Sequence, residues 1–243
     1  MAKKNALFSA VALIALWLVW VIAFYLVRND YVLPSFWETI RETGRLLTEA
    51  SFWRAFGNTF LRTLWAFLAS MALGIALAVP AHLSGGVRAF LAPVISVLRT
   101  VPTMAVVLML LLWTTPAVAP VIVSALVLFP AAYAAALAAF DEVGEEYGEL
   151  VRAFRVGAGR KIVKMYLPLS APVLLNQAGS IFSLGLKVVI SGEVLASTYR
   201  SLGGMMQEAQ IYLQMPRLMA LTLLTVLMGF ALEGLCRLAY VLI

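Results

Sequence analysis

Apolar residues gather into six stretches, at roughly 7–27, 58–82, 90–112, 117–140, 173–197 and 217–242, and the segments between them hold most of the charged residues. A helix rises about 1.5 Å per residue, so about 20 apolar residues cross a hydrocarbon core roughly 30 Å thick. Each stretch has that length. The pattern predicts an all-α, polytopic transmembrane helix bundle of about six spans, with residues 1–243 forming one domain. The first stretch follows MAKKNA and leads into VRNDYVLPS rather than a small-residue cleavage site, so it reads as an uncleaved first helix.

Three segments between the stretches have patterns of their own. In 28–57, Ser35 stands three residues before Glu38, the spacing of a capping box, and Phe36, Ile40 and Leu47 recur at helical spacing. This predicts a short amphipathic helix lying on the outer membrane face, with Trp37, Phe52 and Trp53 in an interfacial belt. In 199–216, SLGGMMQEAQIYLQMP predicts a glycine turn and a second short outer helix ended by Pro216. The third segment, 141–172, collects ten of the chain's 30 charged residues, acids first and bases second. That order favours a helix starting near Asp141, through its dipole. Gly157 and Gly159 would interrupt it, and a second helix would run from about Arg160 to Leu167 before Pro168 stops it. Leu150 and Phe154 share one face of the first helix, and Ile162 and Tyr166 one face of the second, so the segment presents an apolar keel to something.

Composition fits a membrane protein: 63% of residues are hydrophobic, 12% are charged, and the mean hydropathy is +0.96. The net charge of +6 lies largely beside the spans, where it orients them and does not call for nucleic acid. With Lys3 and Lys4 inside, both termini are cytoplasmic and 141–172 is a cytoplasmic loop. Cys236 has no partner for an intrachain disulfide, and His82, after Pro80 at the end of a span, reads as an interfacial polar residue rather than a metal ligand. No metal-ligand cluster, nucleophile–base set or paired carboxylates suggest an enzyme, so no catalytic residue is assigned. In the second span Ser70, Gly74 and Ala78 are spaced four apart, which lets helix backbones approach closely.

Charges within spans are costly enough that they face a cavity, a partner or an interface. Arg99, Thr103, Ser183, Lys187 and Glu193 therefore form a candidate translocation path, with structural ion pairs as the alternative reading. Arg62 near a span end can also be explained by snorkelling.

Several segments together carry a resemblance: LPSFWETI, NTFLRTLWAFLASMALGIALAVP, VISVLRTVPTMAVV, LPLSAP and VVISGEVLAS followed by SLGG. The chain resembles permease subunits of ABC importers, in the branch that handles nitrate, sulfonates and taurine. Their coupling loop carries the motif Glu-Ala-Ala, three residues, Gly, nine residues, Ile-x-Leu-Pro. Registered on Leu167-Pro168, Glu149 falls on the motif's Glu. Leu150 and Val151 stand at its alanines, Arg155 at its glycine and Met165 at its isoleucine, and Gly157 lies two residues late. The resemblance implies a type I ABC importer permease architecture. It also implies a second permease subunit, an extracytoplasmic solute-binding protein, and cytoplasmic ATPase subunits coupled through Glu149, Arg152, Phe154, Arg155, Gly157, Arg160, Leu167 and Pro168. The inner membrane of a bacterial or archaeal cell is the implied location. This sequence has no G-x-x-x-x-G-K-[ST] loop, so ATP and Mg2+ would belong to the partner ATPase and no cofactor to this chain. The residues alone leave open a stand-alone secondary transporter or channel driven by an ion gradient, with Glu193 and Glu233 as its only deep carboxylates.

Overall fold

A computed structural model gives the structure of the chain. It describes residues 2–29, 31–153 and 158–242, and within these the side chains of 8, 11, 12, 14–29, 31–147, 159–236 and 238. Every regular element among the described residues is helical. In chain order these are α1 (Ala2–Val27), α2 (Phe36–Thr48), α3 (Ala50–Leu83), α4 (Gly85–Thr100), α5 (Thr103–Leu111), α6 (Ala119–Ala153), α7 (Ala158–Lys161), a π-helical turn (Ile162–Tyr166), α8 (Leu167–Leu195), α9 (Leu202–Ile211) and α10 (Met215–Leu242). Among the described residues four stretches are each long and apolar enough to cross a membrane: Ala50–Leu83, Ala119–Tyr147, Gly159–Leu195 and Met215–Cys236. A fifth candidate is the pair α4–α5, and Ile14–Val27, the part of α1 whose side chains are described without a gap, is apolar but shorter.

Prolines produce three departures from the expected elements. The stretch 90–112 is not one straight span, because α4 and α5 meet at 85°. Pro102 has no N–H for the ladder and holds Val101 extended, at ψ 126°, so α4 ends there and α5 starts afresh. Pro168 does not stop a helix. The preceding turn widens to π register, with Leu167 N–H donating to the Ile162 carbonyl, and α8 carries on through Pro168 and Pro172 to Leu195. Pro216 likewise opens α10 instead of ending α9, since a missing N–H costs little in a first turn.

Two other expectations are corrected. No break occurs near Asp141, because α6 runs from the apolar span into the charged stretch without interruption. Asp141 and Glu142 therefore sit mid-helix, beyond reach of the end dipole. Gly203 and Gly204 are not a turn but the first helical turn of α9, capped by Ser201. A Cβ on Gly203 would stand 2.6 Å from the Ile190 carbonyl oxygen, so the absence of a side chain is what seats α9 on α8.

The packing centre is the crossing of α3 and α6. Ser70, Gly74 and Ala78 are buried along it, and the Ser70 hydroxyl donates to the Ala125 carbonyl across it, at 2.9 Å. A Cβ on Gly74 would stand 2.8 Å from the Tyr133 nitrogen, so the two backbones touch. Ala132, Ala136 and Ala139 supply the small residues on the α6 side. At one end of the bundle α2 is capped by Ser35 and Glu38 in a capping box. It turns Thr39 and Leu46 inward and leaves Trp37, Ile40 and Leu47 exposed. Arg217 of α10 ties it down, donating to Glu42 at 3.1 Å and to both Glu49 oxygens at 3.0 and 2.7 Å. The Arg217 guanidinium holds the Glu49 carboxyl below the usual carboxylate range, against the opposing effect of burial.

Because the obstruction at Gly74 is backbone, Gly74→Ala is expected to destabilise the protein by about 1–3 kcal/mol. Ala72→Val, on the exposed face of the same helix, should change little. Thermal melting of both variants in detergent checks this, and equal melting temperatures would show that the helices are not in backbone contact.

Candidate functional site

On α8 the buried side is apolar or small, with Leu174, Gly179, Phe182, Leu186, Val189 and Ile190 turned inward. The opposite side is a polar stripe. Asn176, Ser180, Lys187 and Ser191 are all exposed at spacings of 4, 7 and 4. At 100° per residue these positions fall within an arc of about 60°, over a length of about 22 Å. Gln177 borders the stripe and Leu184 interrupts it. Hydrocarbon would not solvate an amide, two hydroxyls and an ammonium in a row, so this face meets water or another polypeptide.

A groove of about 130 Å³ borders the stripe, lined by Thr103, Met104, Val107, Val123, Lys187, Val188, Ser191, Gly192 and Leu195. The 85° bend between α4 and α5 delivers Thr103 to its wall. Two candidate path residues, Thr103 and Lys187, thus lie together. Lys187 forms no ion pair among the described residues.

The other candidates are placed elsewhere. Arg99 is exposed in the last turn of α4, likewise without an ion pair among the described residues. Ser183 is buried toward α10, where a Cβ on Gly229 would come within 3.3 Å of its hydroxyl. Glu193 is fully buried. Arg62 donates to its Oε1 at 2.7 Å, and the Thr59 hydroxyl meets both carboxylate oxygens at 3.0 and 2.9 Å. Gly203 N–H donates to its Oε2 at 3.2 Å, and Leu202 N–H donates to the Thr59 hydroxyl at 3.0 Å. Arg62 is therefore the ion-pair partner of Glu193, not a snorkelling residue. One carboxylate ties together α3, α8 and the first turn of α9.

Of the expected coupling residues, Arg160, Leu167 and Pro168 are described: Arg160 in α7, Leu167 half-buried and Pro168 exposed at the start of α8. The side chains of Glu149 and Arg152, and all of Phe154, Arg155 and Gly157, lie outside the described residues. Sequence reading passed over Asn176, Ser180 and Ser191. The signal was present, as polar residues at helical period inside an apolar run.

Removing one member of a buried ion pair strands the other, so Glu193→Gln and Arg62→Met are each expected to cost about 3–5 kcal/mol. The double variant should lose less than the sum of the two. Strictly additive losses in denaturation midpoints would show that the two groups act independently.

The comparisons with known proteins extend this picture. A family profile described as binding-protein-dependent transport system inner membrane component matches residues 70–239. The match begins at Ser70 on the α3–α6 crossing and takes in the bent pair, the charged stretch, the polar stripe and α9. No curated protein matches the chain. With more than two thirds of its length inside the profile, on an all-helical frame with several membrane-length helices, the chain belongs to the family of binding-protein-dependent transport inner-membrane components, the type I ABC permeases.

Proposed function

We propose that this permease forms half of the solute path of an ATP-driven importer, with the α8 stripe as its lining. The observation that carries this reading is Lys187, an ammonium exposed on a membrane-length helix, without an ion pair among the described residues and flanked along one face by Asn176, Ser180 and Ser191. Such a group is stable at that depth only beside water or a polar partner. A second permease subunit, most simply another copy of this chain, closes the path by facing the stripe. Thr103 contributes from the bent pair, Arg99 stands at the approach to the bend, and Glu193 and Ser183 hold α8 in place from behind.

The charged end serves the energy supply. Residues 145–168 dock a cytoplasmic ATPase, with the bases Arg152, Arg155 and Arg160 and the keel residue Phe154 as contacts, and with Glu149, Gly157, Leu167 and Pro168 shaping the segment. ATP and Mg2+ bind to that partner. The opposite end, with α2 and α9, receives a solute-binding protein, and the exposed Trp37, Ile40 and Leu47 rest in the lipid interface. On this reading both termini are cytoplasmic and the protein lies in the inner membrane of a bacterial or archaeal cell. The likeness to permeases for nitrate, sulfonates and taurine marks the branch whose solutes should be tried first.

Affinity-tagged chain purified from its native membrane is expected to bring down a protein that carries a phosphate-binding G-x-x-x-x-G-K-[ST] loop, identified by mass spectrometry. Reversing Arg152, Arg155 and Arg160 to Glu should remove that partner. Retention of the ATPase by the triple variant contradicts the docking surface, and its absence from the wild-type purification contradicts the whole reading.

A further inference from the structure

At the end of the bundle that carries the charged stretch, four elements meet in one joint. Asp141 of α6 accepts from His82 Nδ1 of α3 at 2.7 Å with one oxygen, and from Arg88 Nη1 of α4 at 3.0 Å with the other. The His82 ring packs edge-on against Tyr166 of the π-helical turn, with centroids 4.7 Å apart, and Phe140 of α6 closes the cluster at 6.3 and 6.2 Å from the two rings. Gly144, one turn beyond Phe140, makes this possible. A Cβ there would stand 2.9 Å from His82 Cε1.

Three features suit the cluster to transmit motion. It lies where the apolar part of α6 passes into the charged stretch and where the chain returns through the π-helical turn, so Asp141 stands just ahead of the stretch assigned to the ATPase and Tyr166 near its far end. The π turn itself is a local departure from the helical ladder, of a kind that concentrates at functional sites. An open cleft of about 710 Å³ borders the cluster, lined by His82, Arg88, Asp141, Gly144, Glu145, Glu146 and Tyr166, so the segment can shift without emptying a packed core. Arg88 connects the cluster to α4. From there the chain runs through the 85° bend to Thr103 on the wall of the groove that holds Lys187.

Resting on the reading of 145–168 as the docking segment, we infer that His82, Asp141, Arg88 and Tyr166 are positioning residues. They carry displacement of that segment through α3 and α4 to the α5 wall of the path. Asp141 is the pivot, because its two oxygens hold one partner on each of the two helices to be moved. The joint contacts neither solute nor nucleotide.

The test uses the permease–ATPase complex reconstituted in nanodiscs, with Cys236 replaced by Ser and spin labels on Met104→Cys and Ser191→Cys across the groove. In the otherwise unaltered complex, trapping with ATP and vanadate is expected to change the distance between the labels. In Asp141→Asn and His82→Ala the ATPase stays bound and hydrolyses ATP, but most of the distance change is lost. His82→Asn keeps an N–H donor for Asp141 and is expected to restore part of it, a rescue that general loosening of the fold would not give. Arg88→Gln, at an exposed position, tests the α4 connection should the His82 variants fail to fold. A wild-type distance change in Asp141→Asn and Arg88→Gln overturns the joint while leaving the docking segment standing. No distance change in the unaltered complex overturns that reading and the joint with it.

Discussion

Backbone contact between α3 and α6 at Gly74 sets the geometry from which the other elements take their places. Lipid offers no hydrophobic drive for helices to associate, so close packing of small residues has to do that work. Ser70, Gly74 and Ala78 on one helix and Ala132, Ala136 and Ala139 on the other provide it. Once the two helices are fixed, their ends are fixed as well. One end of α3 presents Thr59 and Arg62 to Glu193, and the other presents His82 to Asp141. α8 packs on both helices, and Gly185 admits Leu128 of α6, with a Cβ there only 2.8 Å from the leucine methyl. That contact settles which side of α8 is buried, and therefore which side shows its polar residues.

The chain treats its charges within and beside the spans in three ways. Glu193 is withdrawn from water altogether and held by donors from two other elements, α3 and α9, so it fixes position. Asp141 is partly exposed and shared between two cations on separate helices, an arrangement that can yield without leaving a charge stranded. Lys187 forms no ion pair among the described residues and lies on an open face. Buried pairs lock, and removal of either partner is expensive, while an exposed unpaired ammonium needs water or a moving partner. On the proposed reading the three groups divide into a lock, a joint and a lining.

Much of this was legible in the sequence. Ser35 and Glu38 predict the cap of α2, the four-residue spacing of Ser70, Gly74 and Ala78 predicts a close helix contact, and the length of the apolar runs predicts helices that cross a membrane. The bend at Pro102 was harder, because a proline inside an apolar run can kink a helix or break it, and the sequence does not say which. Pro168 misled in the opposite direction, since a π turn absorbs the missing donor and the helix continues. Long-range polar partners were invisible. Arg62 and Glu193 are 131 positions apart and His82 and Asp141 are 59 apart, so only the fold brings them together. The stripe of Asn176, Ser180, Lys187 and Ser191 was present at helical period but diluted by apolar neighbours, so that of the α8 residues only Ser183, Lys187 and Glu193 stood out.

The central claim is that the polar face of α8 borders a water-filled path, while apolar faces such as that of α10 meet lipid. Single cysteines placed at Asn176, Ser180, Lys187 and Ser191, and for contrast at Val226 and Phe230 on the exposed face of α10, in a chain with Cys236 replaced by Ser, test it directly. In intact membranes the four α8 positions should react with a membrane-impermeant maleimide, more strongly or more weakly as the transporter is trapped with nucleotide, and the two α10 positions should not. Protection of all four α8 positions in every state, at the level of Val226 and Phe230, would contradict the account.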